Sequence, residues 1–269
     1  MERSFPASGA LLRLGLRHRA WRYRLSVDPD EIRWMRVVLR PGDTVVDIGA
    51  YKGGYTYWMR RSVGVRGSVL AFEPQPELAA YLERCVGAFS WSNVRIEQTA
   101  LSSSPGRREL RVPGPEPSPG ASLTGASLPP DARAYTVRVE TLDARLASLG
   151  TPPPVRLLKC DVEGHELDVF EGAGATLARD RPLLLFECEA RHDPSRSVVD
   201  VFGRLQAFGY RGFFFWRGRA LDVERFSLSE HQVEGRRPYG NNFIFVPDEW
   251  REGRARPAPE GWASAPGPA

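Results

Sequence analysis

A turn rich in glycine is the first segment whose residue types and spacing could do chemistry. It reads DIGAYKGG over residues 47–54 and continues an apolar run that begins at Thr44. In an open parallel sheet, ligands bind beyond the carboxyl ends of the strands, and glycine lets the backbone bend tightly beneath them. The turn therefore predicts a ligand site at the end of the first strand.

Two phosphate-binding patterns do not fit this turn. A dinucleotide site needs a second glycine where Tyr51 stands, so that the backbone can approach a pyrophosphate. A phosphate-binding loop needs a lysine directly after the last glycine, where Tyr55 stands. An acid followed by G-x-x-x-G suits a cofactor without phosphates. Gly49 and Gly53 therefore predict a site for S-adenosylmethionine, with Asp47 holding the turn and meeting the cationic amino-acid end, directly or through water.

A second acid ends the next apolar strand. Glu73 follows Asp47 by 26 residues, and a carboxylate there can accept both hydroxyls of a ribose, as in dinucleotide folds. The alternative is a helix-capping or solvated glutamate. After the third strand, Glu97 to Ala100 are expected near the adenine, with Gln98 either an amide partner or only a turn residue. The predicted cofactor residues are Asp47, Gly49, Ala50, Tyr51, Gly53, Glu73, Pro74, Gln98 and Asp161.

The densest polar cluster reads KCDVEGHE over residues 159–166 and follows another buried strand. Since this strand ends at the same edge of the sheet, its acids and histidine are expected to face the cofactor. Methyl transfer to a hydroxyl needs an aligned acceptor and a base, and histidine is the usual base at neutral pH. His165 and His192 are both candidates, each alternatively a surface loop residue, and Asp161 could orient the acceptor or act as the base. The predicted catalytic residues are Asp161, Glu163, His165 and His192.

A metal site is a weaker interpretation of the same cluster. Asp161, Glu187 and Glu189 could gather a divalent ion, but no histidine spacing accompanies them. A zinc-protease helix would need a second histidine where Val169 stands. We therefore predict no metal, and assign Glu166 to the first turn of a helix, where acids are stabilising.

Strand, turn and helix patterns alternate along the chain and would position these residues. Such alternation predicts an α/β fold with a mainly parallel sheet covered on both faces. The last two strands, 210–216 and 242–246, follow each other without a good helix, so one of them is expected to be antiparallel at or near an edge. Alternating segments at 107–112 and 134–139 predict a small β insertion. Helices are expected at 141–149, from near residue 163, and at 195–208.

Three parts are predicted along the chain. Residues 1–40 form a helical lead-in, residues 41–247 form the main domain, and residues 248–269 form a frayed tail. A loop rich in Pro, Gly and Ser over 113–131 is either a lid over the site or simply mobile. The arginine-rich segment 13–24 is interpreted as an amphipathic first helix with a solvated basic face, although a transit peptide would look similar.

Several segments together resemble the FkbM family of methyltransferases. They are residues 44–56, 71–74, 139–143, 158–166 and 242–247, of which the DVEGHE segment is the most specific. The resemblance covers roughly residues 40–247 and implies a Rossmann-like class I methyltransferase fold. Its sheet would have seven mostly parallel strands, one of them antiparallel. The resemblance also implies O-methylation of a hydroxyl on a natural product, sugar or glycan.

Composition narrows the possible partners of the chain. Its 269 residues are 42% hydrophobic with a net charge of +4, and they contain no uninterrupted apolar run long enough to span a membrane. Three cysteines without a CxxC pair favour a reducing cytoplasm over disulfides or zinc. The net positive charge is not accompanied by a sequence motif typical of nucleic-acid-binding proteins. A methyltransferase acting on RNA or on nitrogen, and a non-catalytic relative that binds the cofactor, remain the alternatives.

Overall fold

The strands form two sheets in the computed structural model of the protein, which describes residues 8–114, 117–124, 132–150, 154–193 and 195–250. In chain order the strands are β1 (Thr44–Ile48), β2 (Ser68–Phe72), β3 (Val94–Glu97), β4 (Ala100–Leu101), β5 (Gly106–Val112), β6 (Arg133–Glu140), β7 (Val155–Cys160), β8 (Leu183–Glu187), β9 (Tyr210–Trp216), β10 (Arg219–Asp222) and β11 (Asn242–Pro247).

The large sheet has the order β10-β9-β11-β8-β7-β1-β2-β3. Strands β3, β2, β1, β7 and β8 run parallel to their neighbours in that order. Strand β1 pairs with β2 on one side and with β7 on the other, so the chain reverses its direction of winding at β1. This is the switch point at which open α/β sheets bind ligands.

The predicted mainly parallel, Rossmann-like sheet is confirmed, but its strand count differs. The described part of the large sheet has eight strands instead of seven, and two of them, β11 and β10, run opposite to the other six. The additional strand β10 turns back from β9 through Arg217 and Gly218, whose φ angles are +51° and +73°. Two positive φ angles make a hairpin turn that is usually marked by Asn-Gly, and the sequence lacks that mark here.

The predicted β insertion is the second sheet, with the order β4-β6-β5. Strands β5 and β6 pair antiparallel from Gly106 opposite Val139 to Val112 opposite Arg133. Strand β4 pairs parallel with the end of β6 at Ala100 and Leu101. Because β4 follows β3 closely in the chain, the small sheet lies beside the carboxyl end of the large one.

Helices cover both faces of the large sheet. They are α1 (Gly9–Arg22), α2 (Pro29–Val38), α3 (Gly54–Val63), α4 (Pro76–Phe89), α5 (Leu142–Ser148), α6 (Glu166–Glu171), α7 (Gly174–Asp180), α8 (Val198–Ala207) and α9 (Leu228–His231). Successive strand residues point to opposite faces, so Val45 packs with α1 to α4 whereas Val46 packs with α5 to α8. These two apolar layers hold the edge of the sheet at which the strands end.

Two helices differ from their predicted bounds. The helix expected from near residue 163 is the pair α6 and α7, separated around Gly172. A Cβ atom at Gly172 would lie 2.0 Å from the carbonyl oxygen of Ser102, so the backbones meet there. The helix expected at 195–208 begins at Val198, because Ser197 and Asp200 form a capping box around its first turn.

Helices α1 and α2 pack in the same layer as α3 and α4. Helix α1 passes into a π-helical turn at Tyr23–Val27 and then into α2. The indole nitrogen of Trp58 in α3 donates to the carbonyl oxygen of Ala20, 2.7 Å away. Within the described ranges, every helix falls short of the length and apolar character needed to cross a bilayer. The predicted divisions near residues 40 and 248 stay predictions, and residues 115–116, 125–131 and 251–269 lie outside the described ranges.

Candidate functional site

A cleft of about 820 Å³, measured with its open mouth, lies where the carboxyl ends of β1, β2 and β7 meet. Of the predicted site residues, its walls include Gly49, Ala50, Tyr51, Glu73, Pro74, Asp161 and His165. The other predicted residues, which the structure also describes, lie outside its walls: Asp47, Gly53, Gln98, Glu163 and His192. Gln98 is exposed, whereas its neighbours Thr99 and Ala100 line the cleft.

Glu73 is a buried carboxylate in the wall of the cleft, 2% exposed. Its Oε2 accepts the backbone N–H of Tyr51 at 2.8 Å, and its Oε1 accepts that of Gln75 at 2.9 Å. Burial raises the pKa of Glu73 to about 7, against these two hydrogen bonds. The Gln75 side chain is a further hydrogen-bond partner of Glu73. Because a carboxylate can accept about four hydrogen bonds, Glu73 retains acceptor capacity toward the cleft.

Glycine is required at the start of the turn because two backbones touch. Gly49 has a φ angle of +75°, and a Cβ atom there would lie 1.8 Å from the carbonyl oxygen of Asp161. This contact draws the end of β1 against the end of β7. Gly53 also has a positive φ and begins α3, where a Cβ atom would lie 2.9 Å from Leu82 Cδ2.

Replacing Gly49 with alanine is expected to lower the free energy of unfolding by about 1–3 kcal/mol more than the same change at Gly218. Gly218 is the matched control because its φ of +73° is nearly the same but a Cβ atom there meets nothing within 4 Å. The difference therefore reports the clash with Asp161 and not the backbone strain. Urea unfolding of both variants measures it, and equal losses would contradict the close approach.

Lys159 is a buried cation in the floor of the cleft. Its Nζ lies 3.1 Å from Asp161 Oδ2 and 3.9 Å from Asp47 Oδ1. Burial lowers the pKa of Lys159, but the two carboxylates outweigh this and raise it above its ordinary value. Asp47 is fully buried and also accepts a hydrogen bond from Thr56 Oγ1 at 2.5 Å. Asp47 thus reaches the cleft only through Lys159, and Asp161 is the carboxylate of this group that lines it.

The two predicted histidines have different surroundings. His165 Nε2 lies 2.9 Å from the hydroxyl of the buried Ser102, and its Nδ1 lies 3.5 Å from Asp168. Burial lowers the pKa of His165 to about 4, in spite of Asp168. His192 Nε2 lies 2.9 Å from Glu163 Oε2, and although burial opposes its charge, Glu163 raises its pKa. His165 is therefore neutral at pH 7, whereas Glu163 favours the protonated form of His192.

Further carboxylates gather behind the His192–Glu163 pair. Burial raises the pKa of Glu187 well above its ordinary value, and the charges of Asp161, Glu163 and Glu189 add to this. Glu187 is joined to Glu189 by a side-chain hydrogen bond. Glu189 in turn accepts from Tyr239 and Asn241 at 3.0 Å. In the described ranges, no group of three His, Cys, Asp or Glu side chains is arranged to hold a metal ion.

Aromatic residues form a wall that the sequence analysis did not identify. Tyr23, in the π-helical turn, lines the cleft, and its ring fills the space that a Cβ atom on Gly54 would occupy. Its ring packs edge-on against Tyr55, whose hydroxyl donates to Asp28 at 3.0 Å. The Lys159 Nζ lies 5.1 Å from the centre of the Tyr55 ring. The segment before β1 thus completes the site.

Residues 117–124 of the Pro/Gly/Ser-rich loop form another part of the wall. The Gln75 amide donates to the carbonyl oxygen of Ser118 at 2.8 Å and accepts its N–H at 3.1 Å. The hydroxyl of Ser122 donates to the carbonyl oxygen of Glu163 at 2.7 Å. The cleft-lining residues of this segment are Ser118, Pro119, Ala121 and Leu123. Gln75 therefore links this loop to the Glu73 carboxylate, because it also donates its backbone N–H to Glu73.

The residues present fit a nucleoside cofactor with a cationic end. Glu73 offers acceptors for vicinal ribose hydroxyls, and Asp161 offers a carboxylate on the far side of the Gly49 turn. Asp47 lies behind Lys159 and does not line the cleft. The cleft wall also has apolar residues against which a planar base could pack; they include Ala100, Leu101, Leu110 and Pro119.

Comparison with known proteins points to the same chemistry. A family model described as the Methyltransferase FkbM domain matches residues 47–211. A curated relative, Methyltransferase 1 from Beauveria bassiana (strain ARSEF 2860), is 28% identical over 148 residues, covering 49% of this chain and 59% of that protein.

Solved structures show the same fold. The crystal structure of methyltransferase FkbM from Methylobacillus flagellatus KT superposes with a TM-score of 0.51 at 14% identity, covering 90% of this chain and 56% of that one. The chain spans between half and two thirds of the length of both relatives.

Proposed function

Because this chain belongs to the FkbM methyltransferase family, we propose that it transfers the methyl group of S-adenosylmethionine to a hydroxyl of a natural product, sugar or glycan. One observation carries the proposal. At the switch point of the sheet, a buried Glu73 with unused acceptor capacity faces a cleft across the Gly49 turn from Asp161. A phosphate would meet carboxylates there, whereas a sulfonium nucleoside would meet opposite charge.

The geometry supports a specific set of cofactor contacts. Glu73 accepts the two ribose hydroxyls, and Asp161 with the carbonyl oxygen of Gly49 holds the ammonium of the amino-acid end. Lys159 lies between Asp161 and Asp47, and its charge opposes the effect of burial on the pKa of Asp47. The apolar wall at Leu101 and Leu110 receives the adenine.

The bound cofactor supplies an electrophilic methyl group on a positively charged sulfur. The protein must hold the acceptor oxygen in line with that methyl group, a positioning effect that can supply much of the rate. As the oxygen–carbon bond forms, the carbon–sulfur bond breaks and the hydroxyl proton leaves, giving S-adenosylhomocysteine and the methyl ether. Asp161 is the wall carboxylate best placed to orient the hydroxyl.

His192 is the base that we favour for the hydroxyl proton. His165 lines the cleft, but a pKa near 4 makes it a weak proton acceptor. The pKa of His192 is raised instead, by a glutamate 2.9 Å away. His192 lies outside the cleft wall, so we place a water between it and the acceptor.

Activity should therefore rise with pH through the raised pKa of His192, because only neutral histidine accepts a proton. Replacing Glu163 with glutamine removes the charge that favours the protonated form, so the rise should move to lower pH. The pH dependence of kcat measures this, with Glu171→Gln as a control at an exposed glutamate nearby. An unchanged profile, or a shift to higher pH, would count against His192.

A panel of acceptors tests the proposed reaction. The protein is incubated with S-adenosylmethionine and, in separate reactions, with polyhydroxylated saccharides, aglycones, amines and RNA, and S-adenosylhomocysteine is measured. We expect release with hydroxyl acceptors and a matching gain of one methyl group in the product. Release only with amines or RNA would replace the hydroxyl proposal, and binding without turnover of any acceptor would favour a non-catalytic relative.

A further inference from the structure

Helix α1 carries apolar residues on two opposite faces. Its inner face packs into the core; the residues are Leu12, Leu16 and Ala20. Its outer face continues into the π-helical turn and presents Leu11, Leu14, Trp21 and Leu25, which are 55%, 65%, 44% and 68% exposed. These positions are three, seven and four residues apart, which places them in one stripe along a helix. The exposed His18 lies within the stripe between Leu14 and Trp21. On the outer face, Trp21 packs edge-on against the core residue Trp58, whereas core packing does not explain the exposed leucines.

Positive charge borders this stripe. Residues 8–27 contain five arginines and no acidic residue; the arginines are Arg13, Arg17, Arg19, Arg22 and Arg24. Arg17 and Arg22 are exposed and flank the stripe on either side. The acidic residues nearest to α1 along the chain are not exposed, whereas Arg33 and Arg36 in α2 are exposed. The surface is therefore apolar along its centre and cationic along its borders.

We propose that the outer face of α1 docks the protein on an anionic lipid bilayer. A helix that lies in a membrane surface combines leucine and tryptophan on one face with arginines at the borders, where they meet lipid phosphates. A nucleic acid would use the arginines but leave three leucines in water. A two-fold contact between copies would bring arginines of one copy against those of the other, because such a contact pairs the same surface patch with itself.

The docking face adjoins the cleft. The Arg22 guanidinium lies 5.7 Å from the centre of the Tyr23 ring, and Tyr23 lines the cleft directly after α1 ends. A bilayer on the stripe would therefore lie beside the site. The inference does not depend on the proposed reaction, because vesicle binding is measured without cofactor or acceptor.

Sedimentation with vesicles tests the inference on the full chain. One set of vesicles is phosphatidylcholine alone, and the other is phosphatidylcholine and phosphatidylglycerol in equal parts. We expect binding to the anionic vesicles only, weakened by salt. The double variant Leu11→Gln/Leu14→Gln should bind at least about tenfold more weakly. Val65→Gln/Val199→Gln is the matched control, since those valines are 78% and 58% exposed elsewhere, and it should bind like the wild type.

Three results would overturn the inference. The first is failure of the wild type to sediment with anionic vesicles. The second is equal binding by the Leu11→Gln/Leu14→Gln variant, with circular dichroism showing that it is folded. The third is a wild-type dimer, seen by sedimentation velocity, that this variant separates, since the stripe would then be occupied by a second copy.

Discussion

Replacing Lys159 with methionine is expected to lower the free energy of unfolding by about 3–5 kcal/mol, the usual cost of removing one partner from a buried ion pair. Lys159 is the cation next to Asp47, which is fully buried and has one carboxylate oxygen without a hydrogen bond. Methionine has a similar length but no charge, so the Asp47 carboxylate would be left uncompensated. Urea unfolding measures the loss, with Lys52→Met as the control outside the core.

The loss should depend on pH in a definite direction. Burial already raises the pKa of Asp47, and removing Lys159 raises it further. A carboxyl group whose pKa is raised on folding adds stability at low pH and loses it as the pH rises through that value. The variant should therefore approach the wild type in acid and fall away from it as the pH rises above the ordinary pKa of an aspartate. Adding Asp47→Asn should restore much of the stability, and a double variant no better than Lys159→Met would contradict the pairing.

Replacing Glu73 with glutamine is expected to weaken the binding of S-adenosylhomocysteine by about 100-fold or more. Two hydrogen bonds to a charged group contribute roughly 1.5–3 kcal/mol each, and the amide keeps only one of the two acceptor oxygens. Its NH₂ group would also face the backbone N–H of either Tyr51 or Gln75. Calorimetry measures the affinity. The control is Glu77→Gln, an exposed glutamate two residues beyond Gln75, and it should bind like the wild type.

The same affinity should fall in acid. Because the pKa of Glu73 is raised to about 7, a growing fraction is protonated below that pH and accepts hydrogen bonds poorly. The affinity of the wild type should then decrease by up to about tenfold per pH unit. The Glu73→Gln variant should lack this dependence. Unchanged affinity in that variant, or wild-type affinity that rises in acid, would remove Glu73 from the ribose site.

Local patterns were sufficient to predict the elements around β1 and β2. Each of these elements is set by residues close together in the chain: the apolar run at 44–48, the glycines that follow it, and the acid after the second apolar run. Gly49 could be expected at a tight bend, and the contact with Asp161 gives the physical reason. The predicted α/β architecture and the β insertion follow from strands that alternate with helices, which the two covered faces of the sheet reproduce.

Contacts between distant segments could not be read from such patterns. Tyr23 comes from a π-helical turn before β1, and Ser118 reaches the cleft from an insertion through Gln75. Neither carries a periodic signal that ties it to the site. Lys159 did carry a sequence signal, since a lysine within an apolar strand is rarely buried unless it is paired. The prediction of Gln98 as a cleft residue missed by one position. Its neighbour Thr99 lines the cleft, whereas the Gln98 side chain faces solvent.

A crystal structure of the protein with S-adenosylhomocysteine tests the central claim most directly. We predict both ribose hydroxyls within hydrogen-bond distance of the Glu73 carboxylate, and the ammonium group beside Asp161 and the Gly49 carbonyl oxygen. A ligand seated elsewhere, with Glu73 bound only by Tyr51 and Gln75, would contradict the account.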